Sequence, residues 1–234
     1  MKVGYTFPKR EVWPGFRSKF TKDIQTMSKF ILNTTLIKEG LDAIALNDNE
    51  VARAIDQVGY PQPRIRASGF EAFIAIVIGQ QLSNKAAATI LGRVRSLLPE
   101  FTAANLLALP DGALRTAGLS ARKVEYATDL ACAIIDRRFC PDKFNSMDDA
   151  TVIENIVALR GFGQWSAEIY LMFSLQRQDI FPADDLALQK SLQKLKGLEK
   201  CPTASTARKL VKHWTPWRSV GSLFLWHYYQ NAAN

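Results

Sequence analysis

Gly161 and Gly163 bracket Phe162 between two stretches of helical apolar spacing, residues 152–159 and 165–173. Glycine tolerates positive φ and allows a backbone to approach a ligand closely, so the pattern predicts a tight hairpin between two helices. The first N–H groups of the second helix would have no intrahelical partners and would point outward. Such a terminus binds anions, and a nucleic-acid phosphate fits it.

Two consecutive aspartates follow this hairpin, after a loop that contains Pro182. Asp184 and Asp185 precede the apolar positions of another helical pattern, residues 188–195. Aspartate is a favoured N-cap residue, and from residue type alone the pair predicts a helix start. A carboxylate beside a cleft can also stabilise developing positive charge and activate water. Taken alone, the two residues favour the role of a helix cap.

The sequence GFGQWSA, followed by FPADD, resembles the helix-hairpin-helix DNA glycosylase superfamily. Within it, the chain is most similar to the alkylpurine branch, DNA-3-methyladenine glycosylase II, over roughly residues 41–229. The resemblance implies that Asp185 is the catalytic carboxylate and that Asp184 is the helix cap. It also implies a DNA-binding hairpin made of Gly161, Phe162 and Gly163.

The same resemblance assigns a base pocket and a DNA wedge, the side chain that fills the gap left by an extruded base. Ordinary core packing is the alternative for each tryptophan, and a polar turn with a buried leucine is the alternative for the wedge. The helix start in GLSARK is similar to a second phosphate-contacting turn, with a solvated helix start as its alternative. The residues concerned are Trp165, Ile169 and Trp226 for the pocket, Gln81 or Leu82 for the wedge, and Arg122 and Lys123 for phosphate.

Family resemblance implies an enzyme that flips an alkylated purine of the 3-methyladenine type out of DNA and hydrolyses its N-glycosidic bond in base excision repair. Leaving of the base builds positive charge on the sugar, which one carboxylate can stabilise. Bifunctional members carry a lysine at the position of Trp165, so a monofunctional glycosylase without strand cleavage is expected. The alternatives are a glycosylase for another lesion class and a non-catalytic DNA-binding protein.

Cysteine and histidine spacing predicts no metal held by side chains. Cys132, Cys140 and Cys201 form neither a C-x-x-C pattern nor a four-cysteine iron–sulfur loop, and His213 and His227 are predicted to be structural. The family resemblance leaves one cofactor to consider, a monovalent cation at hairpin backbone carbonyls. Free cysteines favour a reducing cytoplasmic location, nucleoid-associated in a bacterium and nuclear in a eukaryote.

Patterning predicts an all-α protein with two helical lobes, and the resemblance implies a DNA-binding cleft between them. The net charge of +8 over 234 residues favours a polyanionic partner, although basic solvated surfaces are common. We expect double-stranded DNA with damaged bases as the partner, no membrane association, and a monomer. Residues 1–33 form a basic segment without clear periodicity. Residues 34–234 form the glycosylase domain, with helix starts predicted at Ser68, Ser83 and Ser120 and within residues 146–149.

Overall fold

The computed structural model describes residues 32–232, which form α-helices and short 3₁₀ turns with no β-strand in that range. The predicted all-α class is confirmed. Within the same range no helix is long and apolar enough to cross a membrane. The basic segment predicted for residues 1–33 lies outside the described residues, apart from its last two positions.

The helices follow one another through short connections. They are α1 (Thr34–Ala45), α2 (Asn49–Val58), α3 (Phe70–Gly79), α4 (Asn84–Leu97), α5 (Ala103–Leu107), α6 (Ala113–Ala117), α7 (Ala121–Ile135), α8 (Asp149–Val157), α9 (Gln164–Phe173), α10 (Leu186–Leu195), α11 (Ala204–Leu210) and α12 (Arg218–Asn231). Two 3₁₀ segments, Pro141–Ser146 and Lys212–Trp214, connect α7 to α8 and α11 to α12.

The helices pack in two groups, as predicted for a two-lobed body. The first lobe consists of α1, α2, α10, α11 and α12, and the second lobe consists of α3 to α9. The chain passes from the first lobe to the second through residues 59–69 and returns through residues 174–185. The return crossing ends at Asp185, and both crossings contribute to a cavity that side chains from the two lobes line together.

Helix α3 lies at the centre of the second lobe because its sequence is apolar on nearly every face. Phe73 is fully buried and packs edge-on against Phe139 and Phe162, with ring centroids 5.1 and 5.7 Å away. The Tyr170 ring of α9 stacks on Phe73 at 4.2 Å. This aromatic cluster fixes α9, which follows the glycine hairpin, against the centre of the lobe.

Most predicted helix starts agree with the structure. The side chains of Ser83, Ser120 and Asp148 each accept a hydrogen bond from the backbone N–H three residues later. The start predicted at Ser68 is wrong, because Gly69 is the N-cap and has φ +82°. Its N–H donates to the Tyr170 hydroxyl, 3.2 Å away, so a tertiary hydrogen bond replaces the expected capping box.

A buried carboxylate joins several helices of the first lobe. The Asp48 side chain is fully buried and accepts hydrogen bonds from Lys196 Nζ at 2.6 Å, Trp214 Nε1 at 2.8 Å and His213 Nε2 at 2.9 Å. Burial raises the pKa of Asp48, but the bonds from Lys196, Trp214 and His213 outweigh that effect and lower the pKa to about 2. His227 is also structural, since its Nε2 lies 2.8 Å from the Val58 carbonyl.

Replacing Asp48 with asparagine should lower the free energy of unfolding by about 3 kcal/mol, because the largely buried Lys196 ammonium keeps only its longer contact to Glu50, at 3.4 Å. Because the folded pKa lies below the ordinary value, this stabilisation is present above about pH 4 and is lost as pH falls toward 2. Thermal melts between pH 2 and 7 should show a flatter acid limb for the variant. Asp136→Asn, which removes an exposed pair with Arg138, is the control, and an equal effect of both changes would contradict this account.

Candidate active site

Asp185 lies at the N-terminus of α10, where four N–H groups converge on its carboxylate. Oδ1 accepts from the backbone N–H groups of Ala187 and Leu188, at 3.0 and 3.1 Å, and from Trp226 Nε1 at 3.1 Å. Oδ2 accepts from Trp165 Nε1 at 3.0 Å. The carboxylate is therefore held by groups from both lobes.

The two carboxylate oxygens differ in their remaining capacity for hydrogen bonds. Each oxygen has about two lone pairs, and Oδ1 already accepts three hydrogen bonds, whereas Oδ2 accepts one. Oδ2 is thus the atom that can still accept a hydrogen bond from a ligand or water. The prediction that Asp184 is the helix cap is wrong, since Asp185 caps α10 and Asp184 is exposed, 3.7 Å from Arg208.

The loop before Asp185 is fixed by polar contacts to side chains of α10 and α11. Arg208 of α11 donates to the Phe181 carbonyl at 2.9 Å and to Oε1 of the buried Glu168 of α9, also at 2.9 Å. Burial raises the pKa of Glu168 despite the bond from Arg208. Gln189 Nε2 donates to the Ala183 carbonyl at 2.7 Å. These contacts determine where α10 begins and hence where the Asp185 carboxylate lies.

A cavity of about 760 Å³ opens between the lobes beside Asp185. The three residues predicted for a base pocket, Trp165, Ile169 and Trp226, all line it. Ile169 is buried, whereas both indole rings are half-buried and donate their N–H groups to Asp185. Core packing alone does not describe the tryptophans, because each has a face on the cavity and a polar bond to the carboxylate.

The hairpin between α8 and α9 presents backbone to solvent. Gly161 has φ +90°, and a Cβ at this position would lie 2.3 Å from the Tyr126 ring. Gly163 has φ −111° and is the N-cap of α9, with no side-chain cap and open space where a Cβ would stand. Phe162, predicted as part of the DNA-binding hairpin, is 5% exposed and packs on Phe73, so its side chain belongs to the core of the second lobe.

The turn between α3 and α4 lies next to the hairpin. Gln80 Nε2 donates to the Gly161 carbonyl at 2.9 Å. Gln81 and Leu82, the predicted wedge residues, are both exposed, which excludes the alternative of a buried leucine. Gln81 has φ +57°, an uncommon conformation for a residue other than glycine. This turn therefore projects two side chains at the rim of the cleft.

A second cavity, of about 940 Å³, follows the hairpin surface from the α3–α4 turn to Asp185. Arg122 lines this cavity and is exposed. Lys123 lines it too, but its Nζ donates to the carbonyls of Ile78 and Gln80 at 2.8 Å each. Burial lowers the Lys123 pKa. Its ammonium thus binds the C-terminal end of α3. Of the two predicted phosphate contacts, only the exposed Arg122 has a charged group without such bonds among the described residues.

Arg122 and Lys123 should respond differently to substitution. Arg122→Gln should leave the melting temperature unchanged and reduce the salt dependence of DNA binding by about one unit of log–log slope. Lys123→Gln should lower the free energy of unfolding by about 1–3 kcal/mol, because two buried carbonyls lose a charged donor. Melts and salt titrations of duplex binding test both expectations. A destabilised Arg122 variant with a parental salt slope would contradict the assignment.

Two arginines on the crossing at residues 59–69 belong to the site but were not predicted from the sequence. Arg64 and Arg66 line the 760 Å³ cavity together with Asp185. The motif PRIR follows a proline-rich break, and its alternating charge was the available signal. The sequence does not predict that this segment packs against α9, because the contact is tertiary. The Arg66 N–H donates to the Phe173 carbonyl, 3.1 Å away.

The position of the Asp185 carboxylate allows it to act on a ligand bound between the two lobes. A fixed carboxylate faces the junction of two cavities, one bordered by indole rings and the other by a helix N-terminus and an exposed arginine. Within residues 32–232, no group of three or more His, Cys, Asp or Glu side chains is placed to hold a metal ion. The chemistry available to these side chains is electrostatic stabilisation and proton transfer at Oδ2 of Asp185.

The chain is similar to proteins of one repair family. Residues 74–216 match the HhH-GPD superfamily base excision DNA repair protein family. DNA-3-methyladenine glycosylase 1 of Schizosaccharomyces pombe is 29% identical over 213 residues, covering 88% of this chain and 92% of the relative. The structure of a 3-methyladenine DNA glycosylase from the same yeast, in complex with abasic DNA, has a TM-score of 0.76 at 28% identity and covers 80% of this chain and 95% of that one.

A bacterial structure agrees with this comparison. The DNA-3-methyladenine glycosidase of Bacillus halodurans has a TM-score of 0.67 at 31% identity, covering 81% of this chain and 88% of that chain. DNA-3-methyladenine glycosylase 2 of Escherichia coli is 26% identical over 196 residues, which cover 77% of this chain and 66% of the relative.

Proposed function

The chain belongs to the HhH-GPD superfamily of base excision DNA repair proteins, and on that premise we propose that it is a monofunctional DNA glycosylase for alkylated purines of the 3-methyladenine type. The observation that carries the proposal is Asp185, a carboxylate that four N–H groups hold at the junction of the two cavities. The names of the S. pombe and B. halodurans relatives support the alkylated-base substrate class.

DNA binding uses the hairpin side of the cleft. The unpaired N–H groups at the start of α9 bind a backbone phosphate, helped by the positive end of the helix dipole. Arg122 neutralises a neighbouring phosphate. The α3–α4 turn inserts Gln81 or Leu82 into the duplex and occupies the gap that the flipped nucleotide leaves. We further propose that the protein acts as a monomer on double-stranded DNA that carries a damaged base.

The flipped base occupies the 760 Å³ cavity, with its sugar next to Asp185. Extrusion costs about a few kcal/mol and is least costly for a damaged pair. As the glycosidic bond breaks, positive charge develops on the sugar, and the negative Asp185 carboxylate stabilises it. Oδ2, the oxygen with a free lone pair, accepts a proton from the attacking water, while Trp165 and Trp226 keep the carboxylate from rotating.

A monovalent cation at the hairpin stays a proposal. The carbonyl oxygens of Leu159 and Gly161 suit such an ion chemically, since hard cations take oxygen ligands. Each carbonyl accepts one hydrogen bond, from Phe162 N and Gln80 Nε2 respectively, and keeps a second lone pair. A bound cation would add positive charge where a phosphate approaches.

The test is incubation of the protein with methylated duplex DNA, followed by chromatography of the released bases and gel analysis of the strands. The proposal requires free 3-methyladenine and strand breaks only after alkali treatment. Strand cleavage without alkali, together with borohydride trapping of the protein on DNA, would indicate a bifunctional enzyme. DNA binding without release of any base from a panel of alkylated, deaminated and oxidised lesions would indicate a non-catalytic binding protein.

A further inference from the structure

Two guanidinium groups lie on one ring of the cavity wall. The Arg64 and Arg66 guanidinium carbons are 5.5 and 5.4 Å from the centroid of the Phe173 ring. Both arginines come from the crossing at residues 59–69, and both line the cavity that contains the Asp185 carboxylate. The cavity wall therefore includes two permanent positive charges close to each other.

These charges have no carboxylate partner within residues 32–232. Neither arginine forms an ion pair there, and the other nearby acid of the cavity, Glu71, is paired with Arg95. The nearest polar contact is from Arg64 Nη2 to Asn84 Oδ1, at 3.4 Å. Burial lowers the pKa of both arginines, and with the Arg64 charge nearby the pKa of Arg66 falls to about 10. Partly buried cations that repel each other are stabilised when a hydrogen-bond acceptor reaches them.

A chain of contacts along the cavity wall joins the arginines to Asp185. Trp226 donates to Asp185, and its ring centroid is 5.6 Å from that of Phe173, which in turn contacts the two guanidinium groups. The Phe173 and Trp226 rings thus lie along the path of contacts from the guanidinium groups to the carboxylate. With the sugar next to Asp185, as proposed above, the base is the part of the nucleotide that extends along these rings toward the arginines.

We propose that Arg64 and Arg66 shift base specificity toward neutral alkylated purines by donating hydrogen bonds to acceptor atoms on the far edge of the flipped base, while 3-methyladenine, with its weak glycosidic bond, remains a substrate. The inference rests on the proposed function. This role differs from a cation–π interaction between aromatic rings and a cationic base. Here the cations over the Phe173 ring are two arginines of the protein itself.

Two alkylated adenines differ in charge and in the hydrogen-bonding atoms at the N6 edge. In DNA, 3-methyladenine carries a positive charge and presents an amino donor at N6, so both its charge and its donor oppose a guanidinium. The cyclic adduct 1,N6-ethenoadenine is neutral, and its N6 and N7 atoms are acceptors. An arginine recognises acceptors on a purine edge with one or two directed N–H groups. The pocket should therefore accelerate release of the etheno adduct more than release of 3-methyladenine, when each rate is compared with the uncatalysed rate for the same base.

The experiment measures single-turnover release of both bases by the parent protein and by Arg64→Gln and Arg66→Gln, which remove charge but keep most of the side-chain length. For Arg66→Gln, the rate for ethenoadenine relative to 3-methyladenine should fall by about tenfold or more, the usual scale for one charged hydrogen bond. Arg64→Gln should change the ratio in the same direction. Arg138→Gln, which alters an exposed arginine that does not line the cavity, should leave the ratio unchanged.

The outcomes separate the inference from the function on which it rests. An equal loss for both bases, with a smaller salt slope of DNA binding, would place the guanidinium groups on a phosphate and overturn the proposal. Parental ratios in both variants with unchanged melting temperatures would also overturn it, while the glycosylase assignment would stand. Failure of the parent to release either base would remove the proposed function and the specificity role together.

Discussion

Replacing Asp185 with asparagine is expected to slow excision of 3-methyladenine by about 10²–10⁴-fold, the scale for losing one catalytic charge. The variant should still fold, because asparagine is an equally good N-cap and can accept from Ala187 and Leu188 N–H groups. Binding of damaged DNA should persist. Single-turnover release from methylated duplex, with a thermal melt of the same sample, measures both properties.

A modest loss of stability should accompany this variant. Trp165 Nε1 donates to Oδ2, and the amide NH₂ of asparagine cannot accept that bond, so we expect a cost of about 1–2 kcal/mol. Asp184→Asn is the matched control, since Asp184 is exposed and loosely paired with Arg208. It should excise at close to the parental rate. Near-parental excision by the Asp185 variant, or an equal loss in both variants, would remove Asp185 from the mechanism.

Replacing each of the two hairpin glycines with alanine should affect stability differently. Gly161→Ala should lower the free energy of unfolding by about 2 kcal/mol or more, because φ +90° is unfavourable for alanine and its Cβ would collide with the Tyr126 ring. Gly163→Ala should melt close to the parental temperature, because its φ is ordinary and the space around it is open, although alanine is a poorer N-cap than glycine. Thermal melts measure both.

Gly163→Ala, which should have little effect on stability, should weaken DNA binding. A methyl group at the N-cap of α9 would stand between a phosphate and the helix N–H groups, so binding should weaken by about tenfold to a hundredfold, the equivalent of one charged hydrogen bond. Titration of an abasic duplex tests this in a fully folded variant. Unchanged affinity of Gly163→Ala would show that DNA does not approach the hairpin backbone.

Much of the fold could be predicted because local signals and tertiary structure agree. Polar caps such as Ser83 and Ser120 begin helices at the expected residues, Asp148 lies within the expected stretch 146–149, and the apolar sequence of α3 identifies the central helix. The start predicted at Ser68 was wrong because Gly69 binds the Tyr170 hydroxyl, more than a hundred residues later in the chain. A capping pattern cannot report a partner so distant in sequence.

In the candidate site, too, the features that depend on tertiary contacts could not be predicted from the sequence. Family resemblance identified the hairpin and Asp185, but it placed the cap on Asp184, because two adjacent aspartates are equivalent to a residue-type argument. Which of the two accepts the helix N–H groups depends on the loop that Arg208 holds. The Phe162 side chain could not be located either, since an aromatic residue between two glycines suits a core as well as a surface.

Charged side chains were the hardest to interpret. Lys123 follows Arg122 at a helix start, and sequence alone gives both the same role, yet Lys123 binds the carbonyls at the end of α3. Arg64 and Arg66 lie in a stretch that reads only as a break between helices. Their place on Phe173 arises from packing of the crossing against α9. Whether a cation is structural or faces a ligand depends on these tertiary contacts.

The central claim is that Asp185 stabilises positive charge on the sugar, and one binding measurement tests it most directly. Affinity is measured for two duplexes that differ only at an abasic position, one with a cationic pyrrolidine and one with a neutral tetrahydrofuran. The parent should bind the cationic duplex at least about 10²-fold more tightly, as expected for a transition-state analogue, and Asp185→Asn should lose that preference. Equal affinity of the parent for both duplexes, or a preference that Asp185→Asn retains, would contradict the account.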